Sequence, residues 1–511
     1  MRKFLKATLI VTIFSVATRA FGFLLRIILS RTMGAEMLGA YQISMSIFGV
    51  LMTIIATGLP LIVSRSVAFY NGKNKHKQAK IISAGLVVVL CLSLIICLIF
   101  LALKNVLTFA INDQSVNIML ILLPSLIASG IYVVLRGGLW GQNRFFTISF
   151  TEFFEQVVRI ALLFVLLSLP IGMSAGERSA LSLTLSTFAS CALVVILYFV
   201  YGEKLSNPKG EIIPILKTGT PITLVKTISS LIGSVIAIIL PARLMLFGYS
   251  RSEALAIFGV YMGMTLPLLM VPSTFISSIA VALVPELSKE TNNIDGASAV
   301  VKNRLKGKIM MALKSTMAIS FVLLPVFVGV GGPICSVLFK NADAGKYLVA
   351  SSVLMIPMGI NQICSSILNA IGLEKRELLN YAIGALALVG CVFFLPQYLG
   401  GISIPIAMLI MHVLSAILSL ITLNNKKLLD WSFLKYFAIC GLILAPSSLL
   451  GHLSYNLFAK VLPQFFATVF SCMLALLFTV LLMFVFNFAN VKFAVMKHRE
   501  KRKNVKQKTT A

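Results

Sequence analysis

The run 7-ATLIVTIFSVATRAFGFLLRIIL-29 decides how this chain folds. A helix rises about 1.5 Å per residue, so this stretch is long enough to cross the roughly 30 Å hydrocarbon core of a bilayer. Comparable runs recur to the far end of the 511 residues, of which 59% are hydrophobic and 12% charged, with a mean hydropathy of +0.98. That composition belongs to an integral membrane protein. A spanning helix satisfies its own backbone hydrogen bonds, so the predicted fold class is all-α. The basic start MRKFLK ahead of an apolar core is signal-peptide-like, but the run continues past Arg19 to Leu29 and further spans follow, which predicts an uncleaved first helix.

Apolar runs between charged or Gly/Pro/Asn breaks predict about fourteen spans: 7–29, 38–64, 81–103, 117–135, 150–169, 180–201, 218–240, 254–284, 315–338, 347–371, 381–396, 402–423, 436–452 and 464–489. An even count puts both termini on one side. On that side fall 32 of the 44 Lys and Arg residues, against 8 in the opposite loops, so both termini are expected in the cytoplasm of a multi-pass cell-membrane protein. The tail 492-KFAVMKHREKRKNVKQKTT-510 reads as a solvated, lipid-hugging anchor. The net charge of +28 is thereby a topology signal, and no basic helix with interleaved aromatics or zinc-finger spacing points to nucleic acid.

Two pairs of segments echo each other in the same order, 36–65 with 253–289 and 122–144 with 355–376. Six spans per repeat is an even number, which predicts two parallel six-helix bundles with a pathway between them. The expected organisation is a bundle over 1–201, a cytoplasmic linker over 202–217, a second bundle over 218–423, two additional helices over 424–489 and a basic tail over 490–511.

Apart from His412, six ionisable groups stand inside the predicted spans: Arg19, Arg26, Glu152, Glu155, Arg159 and Lys226. An insertion cost of at least ~2.5 kcal/mol per charge means such groups face a polar cavity or one another. Arg19 and Arg26, seven residues apart, share one helix face and have no acidic neighbour on their own helix. A guanidinium presents a fixed fork to phosphate oxygens, so this face suits an anionic head group, with pyrophosphate the obvious candidate. Lys226, on the first helix of the second half, would add charge from the facing bundle. Glu155 and Arg159 stand at i, i+4 and can form either a self-neutralising pair or a cavity pair that substrate or a proton breaks and remakes. Glu152, one turn earlier at the span edge, and Arg136, ending the fourth span, are secondary candidates.

Several chemistries are absent from this pattern. Eight scattered cysteines with no C-x-x-C and no nearby His read as core residues, giving neither a metal site nor disulfides. There is no Walker motif for ATP hydrolysis and no large acid-bearing outer loop for a polymerase or ligase, so no cofactor and no enzyme activity are expected. A cation-coupled multidrug exporter would want acidic groups in its cavity, yet cations outnumber carboxylates inside the spans.

The stretch 135-LRGGLWGQNRFFTISFTEFFEQVVRIAL-162 resembles the signature of the polysaccharide-transport and stage V sporulation protein B group of the MOP exporter superfamily, to which the MATE transporters also belong. That group's Arg-Gly followed by Glu-Gln-x-x-Arg stands here as Arg136-Gly137 and Glu155-Gln156-x-x-Arg159. The opening 18-TRAFGFLLRIILSRTMGAEMLGAYQIS-44 is similar to the group's first two helices. Trp140-Gly141 replaces the usual Gln-Gly, Thr147 the usual Pro, and Glu152 a common Gln. Against MurJ-type lipid II flippases, Arg19 matches the first-helix arginine, Arg26 lies one position late and the second-helix arginine is missing. The resemblance implies a flippase moving an undecaprenyl-pyrophosphate saccharide by alternating access, for peptidoglycan or spore cortex. Its partners would be the lipid-linked sugar, membrane lipids, and a coupling ion (proton or sodium) or the membrane potential.

Overall fold

Apolar side chains on nearly every face, with turn residues between the runs, give a chain built of helices, and no strand occurs among the described residues. The structure, a computed structural model, describes residues 2–290, 294, 296 and 298–486. The expected basic tail 490–511 lies outside the described residues. Contacts divide the chain into two compact units, Met1–Gly263 and Met264–Ala511.

Unit 1 holds α1 (Arg2–Ala56), α2 (Gly58–Tyr70), α3 (Lys75–Ala102), α4 (Lys104–Ala110), α5 (Asp113–Gly141), α6 (Phe145–Ser168), α7 (Ala175–Val200), α8 (Ile212–Phe247) and α9 (Arg251–Gly259), which runs into a π-helical turn at Val260–Thr265. Gly34 interrupts α1 with φ 72° and ψ 172°, a conformation open to glycine, and so separates the first two expected spans inside one helical element. α5 lies at the centre, against α1, α2, α3 and α7. Its first turn is stitched to α1 by reciprocal bonds: Ser44 Oγ donates to the Ser115 carbonyl at 2.8 Å and Ser115 Oγ to the Ala40 carbonyl at 3.0 Å. Thr184 Oγ1 of α7 donates to the Ile121 carbonyl at 2.8 Å. α1 and α9 cross backbone to backbone; a Cβ on Gly39 would stand 2.0 Å from the Leu255 carbonyl oxygen, and one on Gly259 2.3 Å from that of Ala35. Without a hydrophobic drive between helices in lipid, such close approach and hydroxyl-to-carbonyl bonds are what fasten them.

Unit 2 continues with α10 (Leu266–Leu269), α11 (Val271–Glu290), α12 (Ala299–Phe339), α13 (Ala342–Ser351), α14 (Met355–Ala370), α15 (Glu374–Phe394), α16 (Pro396–Leu399), α17 (Ser403–Asn425), α18 (Lys435–Phe458) and α19 (Gln464–Val485). α12 is its axis, packed by α11, α13, α14, α18 and α19, while α15 and α17 pair beside α14.

Among the described residues thirteen helical segments are long and apolar enough to cross a membrane, so this is a multi-pass membrane protein. The difference from fourteen has three sources. The first two expected spans run together as Val11–Tyr70, and the expected 254–284 divides at Met270 into Arg251–Leu269 and Val271–Glu290. The third is α6, 24 residues long but carrying Glu152, Glu155 and Arg159, which keep it off the apolar count.

Candidate functional site

The charges that keep α6 off that count also define a site. At about 100° per residue, Phe146, Phe150 and Phe153 fall on one side of α6, and Glu152, Glu155 and Arg159 on another. The aromatic side packs on α1: Phe14 meets Phe146 at 5.7 Å and Phe153 at 5.7 Å between ring centroids, and Phe21 meets Phe153 at 5.2 Å. Edge-to-face contacts of this kind fix the rotation of both helices. α1 thereby carries Arg19 and Arg26 about 120–140° round from the Phe14/Phe21 line. Both arginines are exposed by surface area.

The charged side of α6 meets α5 and α7. Glu152 forms an ion pair with Arg136 of α5, both partly exposed. Ser190 Oγ of α7 stands 3.3 Å from the Glu155 carboxylate and 3.0 Å from the Thr187 carbonyl, so its single proton is shared between the two acceptors. Thr151 spends its proton on the Ile148 carbonyl at 3.0 Å, so the buried Tyr132 hydroxyl donates to Thr151 Oγ1 at 3.2 Å. Glu155 and Arg159 make no ion pair with each other among the described residues, and Arg159 makes none with any other carboxylate there. Arg159 still lies within electrostatic reach of Glu155, and the buried Tyr41 hydroxyl of α1 feels both Arg159 and Arg26. The structure therefore brings Arg26, Arg136, Glu152, Glu155 and Arg159 into one neighbourhood of unit 1.

Arg19 lies two turns earlier on α1 and makes no ion pair among the described residues. Lys226 is exposed on α8, a helix that packs on α1 and α2. Sequence reasoning missed Ser190, Tyr132, Thr151 and Tyr41. A signal existed for Ser190, because Ser179, Ser182, Ser186 and Ser190 recur every three or four residues and mark a polar face on α7. The tyrosines stand in ordinary apolar runs and carry no such mark.

Arg136 also lines a cavity of about 230 Å³ between α2 and α5, with Pro60, Leu61, Ser64, Gly137 and Trp140. Among the described residues no group of three or more His, Cys, Asp or Glu could hold a metal ion, and the eight cysteines are free. What the cluster can do is hold an anion. Of its carboxylates, Glu152 faces a guanidinium and Glu155 a hydroxyl, while Arg19, Arg26 and Arg159 have no carboxylate bound to them among the described residues.

The family model described as "Polysaccharide biosynthesis protein" matches residues 4–290, more than half of the chain. The chain belongs to this family. Every member of the charged cluster, from Arg19 to Lys226, falls within the match. Among curated proteins, stage V sporulation protein B of Bacillus subtilis (strain 168) is 26% identical over 409 residues, which is 77% of this chain and 77% of that protein. An uncharacterized membrane protein of the same organism, YabM, is 23% identical over 346 residues, 65% of this chain and 63% of its own. Among solved structures, the lipid II flippase MurJ in an inward closed conformation superposes with a TM-score of 0.72 at 14% identity, covering 94% of this chain and 100% of that one. An inward-facing MATE-family multidrug resistance transporter of the MOP superfamily gives 0.67 at 18% identity, covering 80% and 95%. At these identities the two structures establish a common fold.

Proposed function

We propose that the protein is a flippase that carries an undecaprenyl-pyrophosphate saccharide, a peptidoglycan precursor such as lipid II or a related polysaccharide precursor, across the cytoplasmic membrane. The observation that carries this reading is the charge balance of the intramembrane cluster: among the described residues Arg19, Arg26 and Arg159 have no carboxylate bound, and Glu152 is already paired with Arg136. Unpaired guanidiniums at membrane depth are costly unless a polar cavity or an anion meets them. A pyrophosphate offers two charges and several acceptor oxygens to the forked donors. The family match and the names of the relatives support a lipid-linked sugar as cargo, and that of stage V sporulation protein B supports use in spore cortex synthesis.

The cycle would be alternating access. Two six-helix bundles, 1–201 and 218–423, joined by the linker 202–217 and followed by helices over 424–489, rock about the bound head group while the lipid tail stays in the bilayer. Arg19 and Arg26, aided by Lys226, hold the pyrophosphate. Glu155 and Arg159, close but not ion-paired, respond to cargo, to a proton or sodium ion, or to the membrane potential. Arg136 and Glu152 support them. Both termini face the cytoplasm, and the chain is a carrier and not an enzyme. A cation-coupled multidrug exporter is the second reading, suggested by the MATE fold. It fits poorly with a cluster in which cations outnumber carboxylates.

The test is transport by purified protein in liposomes, with a fluorescent undecaprenyl-pyrophosphate saccharide and a membrane-impermeant quencher reporting the leaflet of the head group. Movement of the head group between leaflets is expected. Folded protein that exports a cationic dye but leaves the lipid in place would favour the exporter instead.

A further inference from the structure

A second cavity, of about 280 Å³, lies between α2, α3 and the first turns of α8. Ile62 and Ile81 form an apolar wall, and Arg65, Ser66, Glu211 and Thr218 supply its polar groups. None of these belongs to the charged cluster on α1, α5 and α6. The cavity forms because the segment joining α7 to α8 is drawn onto the start of α3. The Ser206 N–H donates to Ser83 Oγ at 3.0 Å, Ser206 Oγ meets His76 Nδ1 at 3.4 Å, and Lys77 Nζ pairs with Glu211 at 3.0 Å.

The electrostatics of the cavity favour an anion. Glu211 stands at the N-cap of α8, yet its carboxylate caps nothing there; it is spent on Lys77. With Glu211 neutralised, the Arg65 guanidinium is the uncompensated charge, exposed and without an ion-pair partner among the described residues. The Ser66 hydroxyl beside it makes no hydrogen bond to the described residues, whereas Thr218 Oγ1 is committed to the Pro214 carbonyl at 2.9 Å. The first turn of the 36-residue α8 adds the positive end of its dipole. The two segments that meet here, 71–80 and 201–211, carry Lys73, Lys75, Lys77, Lys80, Lys204 and Lys209 against Glu203 and Glu211, which concentrates anions at this end.

We propose that this cavity is a binding site for a phosphate or pyrophosphate group, held by Arg65 and Ser66 and separate from the charged cluster of α1 and α6. The inference does not rest on the transport reading, since a protein that flips nothing can still hold an anion here. The occupant is either the head group of an isoprenyl lipid or the free anion.

The test is the rate at which phenylglyoxal modifies Arg65, followed by peptide mass spectrometry on the full-length protein in phosphatidylcholine nanodiscs. The probes are inorganic pyrophosphate and farnesyl pyrophosphate. Saturable protection of Arg65 by pyrophosphate is expected. Two charge variants carry opposite signs: Glu211→Gln should strengthen binding and Lys77→Gln should weaken it, each by about two- to fivefold, the size of one exposed charge pair. Protection by farnesyl pyrophosphate at much lower concentration identifies a lipid head group, and equal protection identifies the free anion. Modification of Arg65 that neither probe slows, or protection that the two variants leave unchanged, overturns the proposal.

Discussion

The two units use polar side chains differently. In unit 1, α1, α5 and α6 bring charges together at membrane depth: Arg26, Arg136, Glu152, Glu155 and Arg159, with one ion pair and, among the described residues, two guanidiniums without one, Arg26 and Arg159. In unit 2 several bonds between spanning helices join neutral groups, although Ser365 Oγ of α14 donates to the Glu377 carboxylate of α15 at 2.6 Å. Gln362 Nε2 donates to Ser277 Oγ at 2.8 Å and to the Ser273 carbonyl at 3.1 Å, and Asn380 Nδ2 donates to Thr422 Oγ1 at 3.2 Å. Its bridge from Lys308 to Glu290 and Glu286, at 2.9 and 3.1 Å, sits at the last turns of α11. Amides and hydroxyls that satisfy one another hold helices together and ask for nothing more. Unpaired guanidiniums inside spans are not explained by fastening, and that contrast is the physical ground for placing the anionic head group in unit 1.

The contrast can be broken or sharpened by substitution. The largest effect is expected from Arg19→Ala or Arg26→Ala. Losing a charge-assisted bond to phosphate costs about 1.5–3 kcal/mol, so flipping should fall roughly 10- to 100-fold with little change in thermal unfolding. Asn380→Ala should do the reverse, lowering the unfolding temperature through about 1–3 kcal/mol of lost and unsatisfied hydrogen bonds while flipping per folded molecule changes less than twofold. Equal transport losses in the two variants would erase the distinction between the units.

Next in size is the Arg136–Glu152 pair. Glu152→Gln leaves Arg136 without its carboxylate, and the double variant with Arg136→Gln should be less impaired than the two single losses combined, a coupling of about 0.5–3 kcal/mol read from a double-mutant cycle of flipping rates. Strict additivity would show that the pair does not act as a unit. Ser190→Ala removes one hydrogen bond from Glu155 and should cost about 0.5–1.5 kcal/mol, seen as a several-fold slower rate. The smallest effect is expected from Lys226→Gln. Its ammonium is an exposed point charge, so a decline of fivefold or less is consistent with an auxiliary role.

Much of this was legible in the sequence, for different reasons in different places. Length and hydropathy declare a spanning helix wherever one is apolar throughout, so α3, α5 and α7 stand close to their expected bounds. The i, i+4 spacing of Glu155 and Arg159 also placed both on α6, but it could not say which partner each would take. That choice depends on how α5 and α7 sit against α6, which brings Arg136 and Ser190 within reach. The seven-residue spacing of Arg19 and Arg26 was visible, yet the aromatic contacts of Phe14 and Phe21 that set their direction involve residues more than 120 positions away. Lys226 was legible as a charge on an apolar helix, while the packing of that helix against α1 and α2 was not.

The central claim is that the charged cluster of unit 1, and not the neutral network of unit 2, moves the head group. Flipping of a fluorescent undecaprenyl-pyrophosphate saccharide should be measured side by side for wild type, Arg19→Ala and Asn380→Ala, at matched amounts of folded protein in liposomes with an imposed potential. The expected result is rapid flipping by wild type and Asn380→Ala, and near-background flipping by Arg19→Ala. Wild-type rates for Arg19→Ala would contradict the account, because the arginines would then hold no pyrophosphate.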